Sequence, residues 1–299
     1  MQTNGEWSSP VIIGGVGGSG TRVVAEIIDH LGFYIGDDLN PAHDNLWFLL
    51  LFKRPQWFHR ARHDDHKVFT GLSLLSKVML GRSGLRWPEL RFLIRAVFEV
   101  SIYGHNHRGD GRGFWPWLRA WNMMVRQSKK KPIQKYWGWK EPNSHIFLDY
   151  LAAYFSNLKY IHTIRHGLDM AFSDNQQQLY NWGPIFGIPM PQSKLEEPGA
   201  SLKYWIKSNK RVLEMGQKLG DQKFLVVNYD RLCLSPESEI QKIVSFLNIE
   251  PDAEIRNALN RIPQKPESLG RFRAHNISQF DPADLTALEN LGFSTAIDH

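Results

Sequence analysis

The sequence predicts an α/β fold organised on a parallel sheet. Two observations carry this. Short apolar runs, Val11-Ile12-Ile13, Lys159–Ile164 and Phe224–Val227, are each followed by a stretch with helical signals. Strands that alternate with helices in this way pair in parallel through crossover connections. The first run also passes through five glycines, Gly14, Gly15, Gly17, Gly18 and Gly20, into Val23, Val24, Ile27, Ile28 and Leu31 at helical spacing.

Strand, glycine turn and helix together aim backbone N–H groups and a positive helix end at an anion. Ser19 and Thr21 add hydroxyls there, and Arg22 adds a charge in the first turn. Several readings compete for Pro10–Asp38. Gly15 and Gly20 have the glycine spacing of a Walker A loop, but Thr21 and Arg22 stand where Lys and Ser/Thr would follow. Gly15, Gly17 and Gly20 also satisfy the dinucleotide pattern GxGxxG, with Asp37 about 20 residues on. Nothing later in the chain supports that second reading. A third is a phosphosulfate cradle, and the bland alternative is a turn without a ligand.

After Asp38 the chain turns irregular through Leu39–Asn45, and Leu46–Phe52 is an apolar helical run. Helices are expected over Leu72–Leu80 and Leu90–Tyr103, then a loop over Gly104–Gly113. Trp115, Trp117, Trp121, Met123 and Met124 make an aromatic stretch that is core or ligand platform. No strand–turn–helix unit appears between about residues 40 and 132, so this stretch reads as a helical insertion, a lid or acceptor-binding part within a single domain spanning 1–299. His105 and His107 lack partners at metal-ligand spacing, and no metal is expected.

Tyr136–Trp139 reads as a second strand running into Lys140, followed by a helix over Ser144–Phe155. Arg165 ends the strand Lys159–Ile164, at the carboxyl edge where open α/β sheets place ligands. Ser173 lies two helical turns later, so Arg165 and Ser173 together would make a phosphate clamp. Gly183–Gly199 is a Pro/Gly-rich loop, Ser201–Leu219 an amphipathic helix, and Ser235–Leu247 and Asp252–Asn260 further helices. Lys265–Arg273 is basic and irregular.

Composition narrows the classes. The 299 residues are 42% hydrophobic, enough for a sizeable core. No apolar run approaches the ~20 residues of a membrane span. The polar N-terminus lacks a signal-peptide pattern, and Cys233 is the lone cysteine, so a reducing, cytoplasmic setting is expected. A net charge of +6 suits a polyanionic nucleotide or an anionic membrane face. The basic residues are dispersed, and Lys129-Lys130-Lys131 reads as a solvated helix end, so no nucleic-acid partner is expected. Oligomeric state is not legible.

Taken together, four segments resemble the sulfotransferase family. Gly17-Gly18-Ser19-Gly20-Thr21-Arg22 resembles its 5′-phosphosulfate loop, with Gly18 where a Lys or Arg usually stands and Arg22 one turn on to supply the charge. Arg165 with Ser173 resembles its 3′-phosphate site. Tyr229-Asp230-Arg231-Leu232, Pro236 and Phe246-Leu247 resemble its Tyr-Glu-x-Leu…Pro…Phe-Leu segment, and Lys265, Gly270 and Arg271 its closing loop over the nucleotide.

The resemblance implies a three-layer α/β sandwich like that of the P-loop kinases. It also implies transfer of a sulfuryl group from 3′-phosphoadenosine 5′-phosphosulfate (PAPS) to a hydroxyl of a carbohydrate, glycolipid or small metabolite. It gives Lys140, in Lys-Glu-Pro, charge stabilisation on the bridging oxygen. For the base it points to Asp38, with Asp37, His43 and Asp44 as rivals. A small-molecule kinase or a nucleotide-binding module without transfer activity is the alternative that Gly18 keeps open.

Overall fold

The computed structural model describes residues 10–82, 84–128 and 136–296. Both the polar N-terminus and Lys129–Lys131 lie outside the described residues. Strands β1 (Val11–Gly15), β2 (Gly138–Lys140), β3 (Lys159–Ile164) and β4 (Phe224–Asn228) form a parallel sheet in the order β2-β1-β3-β4. Helices α1 (Thr21–His30), α2 (Leu46–Phe52), α3 (Pro55–Ala61), α4 (Asp65–Met79), α5 (Trp87–Tyr103) and α6 (Trp115–Ser128) lie between β1 and β2. Helix α7 (Leu148–Tyr154) joins β2 to β3, and α8 (Gly167–Ala171), α9 (Gln177–Trp182) and α10 (Glu197–Leu219) join β3 to β4. Four more complete the chain: α11 (Tyr229–Leu234), α12 (Pro236–Leu247), α13 (Ala253–Arg261) and α14 (Pro282–Asn290).

Side-chain alternation splits the sheet into two faces. Val11, Ile13, Ile161 and Val227 pack with Val24 and Ile28 of α1, Ile240 and Ile243 of α12 and Leu259 of α13. Ile12, Tyr160 and Phe224 belong to the opposite cluster with α2, α4, α5, α7 and α10. The sheet therefore sits between two helical layers, the P-loop-like three-layer α/β architecture. Each fully buried Ile or Leu in these layers contributes about 1.5–3 kcal/mol. Helices α2 to α6 share one continuous core with the sheet, through Trp47, Phe48, Leu75, Val97 and Met123.

The strand order also fixes where a site can form. The chain leaves β1 toward β2 on one side, then crosses over β1 to reach β3 on the other. The switch point is the crevice at the carboxyl ends of β1 and β3, where open α/β sheets bind ligands. The glycine turn leaves β1 there, and Arg165 leaves β3 there.

Several elements differ from the sequence reading. The second strand is Gly138–Lys140, starting two residues later and ending one later than expected, so Lys140 is its last residue and pairs with Ile13. The helix expected over Ser144–Phe155 opens as a 3₁₀ turn, Pro142–Phe147, before α7. Helix α10 begins at Glu197 inside the expected loop. Helix α8 ends at Ala171, so Ser173 does not share a helical face with Arg165. After α1, Tyr34 makes only a single bridge to Trp137, and Asp38 lies beyond it rather than at the end of a strand.

Candidate active site

The glycine turn builds the floor of a cleft of about 360 Å³, whose walls come from Asp44, Lys53, Lys140, Glu141, Gln178 and Tyr229. Gly18 has φ +90 and Gly20 φ +86, in the left-handed region where a side chain is strained. A Cβ at Gly20 would meet the Tyr229 ring at 1.9 Å, so ring and backbone are in direct contact. The Ser19 side chain is 1% exposed, and its hydroxyl has no protein partner. No side chain caps the N-terminus of α1, and the helix dipole adds positive potential at the same point. An uncommitted buried hydroxyl beside a helix N-terminus suits a phosphate or sulfate oxygen. Thr21 is buried, and Arg22 reaches the cleft from an exposed position.

Lys140 is 2% exposed. Its Nζ donates to the Asp44 carboxylate at 2.5 Å and to the Ala42 carbonyl at 2.9 Å. Asp44 is itself positioned by Asn40, whose amide donates to Asp44 Oδ2 at 2.8 Å and whose Oδ1 accepts from the Asp44 N–H. An amine paired with a carboxylate in a partly buried cleft is held in place at the end of β2.

Asp38 is elsewhere. It accepts from Arg119 at 2.8 Å and Asn122 at 3.3 Å, both on α6, and is not part of the cleft wall. Burial pushes its pKa up, while Arg119 opposes the shift. It anchors α6 in this structure, and the carboxylate beside Lys140 is Asp44. Asp37 pairs with Arg126 at 3.2 Å. His43 adopts φ 62 on the turn between Asn40 and Asp44.

The second anion corner is more heavily engaged. Arg165 is 6% exposed and donates from Nη1 to the Gly18 carbonyl at 3.4 Å. Its Nη2 donates to Asp169 at 3.3 Å, to the Ser268 hydroxyl at 3.1 Å and to the Ser268 carbonyl. The guanidinium also lies 5.5 Å from the centre of the Tyr229 ring, and burial pushes the Tyr229 pKa up to about 12. Asp169 accepts from the N–H groups of Gly270 at 2.7 Å and Phe272 at 3.1 Å, which fastens the closing segment to Arg165. Arg271 donates to the carbonyls of Ser268 and Phe172, both at 3.4 Å. Lys265 is exposed. The structure thus links Arg165 to Gly18 and Tyr229, which line the cleft, and through Asp169 to Gly270. Ser173 stays outside the cleft wall, where its hydroxyl accepts from the Asn175 N–H at 3.3 Å.

The sequence reading missed four contributors. Lys53 lines the cleft from the end of α2, and the Lys53-Arg54 pair closing the apolar run Leu46–Phe52 was its signal. Glu141 is fully buried. Its Oε1 accepts from Asn143 at 2.6 Å while its Oε2 has no partner. Burial pushes Glu141 up to about 7, with Lys53 opposing and Asp44 adding to the shift. Gln177 and Gln178 enter from α9, which had no clear sequence signal. Among the described residues no group of three His, Cys, Asp or Glu side chains could hold a metal ion. No helix among them is long and apolar enough to cross a membrane.

Comparison with known proteins bears on this cleft. The profile of the sulfotransferase family matches residues 10–253, a stretch that runs from β1 through α12. The chain belongs to the sulfotransferase family. Like other members, this sulfotransferase is a transferase enzyme. Sulfotransferase STF9 from Mycobacterium avium is similar at 15% identity, over 95% of this chain and 76% of its own, with a TM-score of 0.49. The sulfotransferase domain of the Synechococcus PCC 7002 olefin synthase aligns at 17% identity, over 100% of this chain and 94% of its own, with a TM-score of 0.42. The sulfotransferase domain of the curacin biosynthetic pathway aligns at 12% identity, over 98% of this chain and 100% of its own, with a TM-score of 0.47. No curated protein matches the chain.

Proposed function

We propose that this sulfotransferase moves a sulfuryl group from PAPS to the hydroxyl of a carbohydrate, glycolipid or small metabolite. Gly17 to Arg22 cradle the 5′-phosphosulfate, and Arg165 takes the 3′-phosphate. One observation carries the reading. The Arg165 guanidinium reaches the Gly18 carbonyl at 3.4 Å, so the two anion corners share one crevice at the sheet's switch point. The buried, uncommitted Ser19 hydroxyl supports the first corner. Tyr229 lies against both and lends a rigid wall.

Catalysis then rests on positioning and charge, as in phosphoryl transfer. The acceptor oxygen attacks sulfur in line, and the sulfur–bridging-oxygen bond breaks with its electron pair passing to the 5′-phosphate. Lys140 donates to that bridging oxygen as negative charge develops. Asp44 takes the acceptor proton once Lys140 has turned from it toward the leaving group. This reading replaces Asp38 with Asp44 as the base, and makes Asp38 a positioning residue for α6. The stretch from about 40 to 132 forms the acceptor side of a single domain, since Ala42, Asp44 and Lys53 reach the cleft from it.

A thermal-shift panel of adenosine 3′,5′-bisphosphate, ATP with magnesium, GTP and NAD tests the donor. Stabilisation by the bisphosphate alone is expected. Preferential stabilisation by ATP with magnesium would reassign the cleft to a kinase.

A further inference from the structure

Away from the cleft, α5 and α6 expose apolar side chains that no described element covers. On α5, Ile94, Phe98 and Ile102 recur every fourth residue, with Trp87 at 68% exposure at the start of the helix. On α6, Trp117, Trp121 and Met124 follow at intervals of four and three residues, with Trp121 at 64% exposure. The two rows join where the Phe98 ring meets the Trp117 ring at 5.3 Å. A contiguous face of this kind marks an interaction surface.

The charges around it are mostly positive. Phe98 also lines an open groove of about 850 Å³ between α3, α4 and α5, with Arg60, Lys67, Arg91 and Arg95 among its walls. Arg91 and Arg95 are exposed and make no ion pair among the described residues. The groove's one carboxylate, Glu99, is held by Arg54 at 2.8 Å and Arg60 at 3.4 Å. Between Gly111 and Lys140 the sequence has no aspartate or glutamate.

We propose that the α5–α6 face, with the basic groove beside it, docks this protein on an anionic lipid surface. Exposed tryptophans flanked by arginines match a bilayer interface, where indole rings settle at headgroup depth and guanidinium groups meet lipid phosphates. A second copy of the chain fits poorly. An isologous contact would set Arg91 and Arg95 against the same basic face with no carboxylate to pair with. The inference does not depend on sulfuryl transfer, because lipid binding can be read without turnover.

Vesicle flotation of the full chain tests it, with phosphatidylcholine alone compared with phosphatidylcholine mixed with phosphatidylglycerol. The chain should float with the anionic vesicles and stay behind with the neutral ones. Raising the salt concentration should release it. Arg91→Glu with Arg95→Glu should weaken binding at least tenfold, at roughly one kcal/mol per basic residue near the surface. Phe98→Ser with Trp121→Ser should do so as well, and both variants should keep the parent melting temperature because all four side chains are exposed. The proposal is overturned if the parent chain fails to float with anionic vesicles, or if neither variant weakens flotation. It is also overturned if light scattering shows a dimer that the same substitutions dissolve while the parent ignores both kinds of vesicle.

Discussion

The two corners of the cleft are built in opposite ways. At the glycine turn the polar groups are less committed: Ser19 Oγ is buried without a partner, and no side chain caps the N-terminus of α1. At the end of β3 the polar groups are mostly engaged, with only Arg165 Nε left without a partner. Arg165 holds Asp169 and Ser268, and Asp169 in turn holds the amides of Gly270 and Phe272. One corner needs no rearrangement to accept an anion, while the other must exchange an internal partner for an external one. Preorganised donors cost little on binding, whereas donors already engaged offset part of the gain.

The largest expected effect lies between the corners. Lys140→Ala should lower turnover about 10²–10³-fold, followed as release of adenosine 3′,5′-bisphosphate from PAPS, with little change in nucleotide affinity. The reverse pattern would move Lys140 from chemistry to binding. Asp44→Asn should fall in the same range and Asp38→Asn well below it; equal losses would restore Asp38 as base. Arg165→Ala comes next. Calorimetry should show adenosine 3′,5′-bisphosphate bound about 30–100-fold more weakly, and adenosine 5′-phosphate bound almost as before. Parallel losses for both ligands would mean that the corners are not separate.

Smaller effects sharpen the contrast. Gly18→Lys restores the family's usual charge but forces a side chain into φ +90, so urea unfolding should show a loss of about 1–2 kcal/mol. Asp169→Asn should speed hydrogen exchange at Gly270 and Phe272, with a stability cost of about 1–3 kcal/mol. A pH scan of melting temperature reads the buried titrating groups. His145, His162 and His105 are pushed down to about 3, 4 and 4, chiefly by burial, so the folded chain excludes protons that the unfolded chain binds. Their contribution is complete above the ordinary histidine pKa and lost as pH falls from about 6.5 toward 4. Glu141, raised to about 7, has the opposite sign: it favours the folded state while protonated, and stability drops as pH climbs from about 4.5 to 7. Glu141→Gln should remove that alkaline-side loss; an unchanged slope would show that Glu141 is not its source.

The glycine turn and three of the strands were legible because their signals are local. An apolar run, a glycine cluster and a following 3.6 period lie within about 20 neighbouring residues. Arg165 was legible for the same reason, as a cation closing an apolar strand. The choice between Asp38 and Asp44 was not, because it depends on which partner crosses from a distant segment. Arg119 reaches Asp38 from α6, and Lys140 reaches Asp44 from β2. No sequence period encodes either meeting. Ser173 illustrates the same limit. Counting residues put it on the face of Arg165, but α8 stops after five residues and the chain turns away. Gln177 and Gln178 were invisible because α9 is short and its role comes from where α8 deposits it.

The grip of Arg165 on Ser268 has a kinetic consequence. A ligand phosphate seated on Nη2 of that guanidinium must displace the hydroxyl and carbonyl already there, so capture proceeds in two stages, first contact and then release of the strap. In stopped-flow mixing the observed rate should therefore level off at high nucleotide concentration instead of climbing in proportion to it, and Ser268→Gly should raise that plateau.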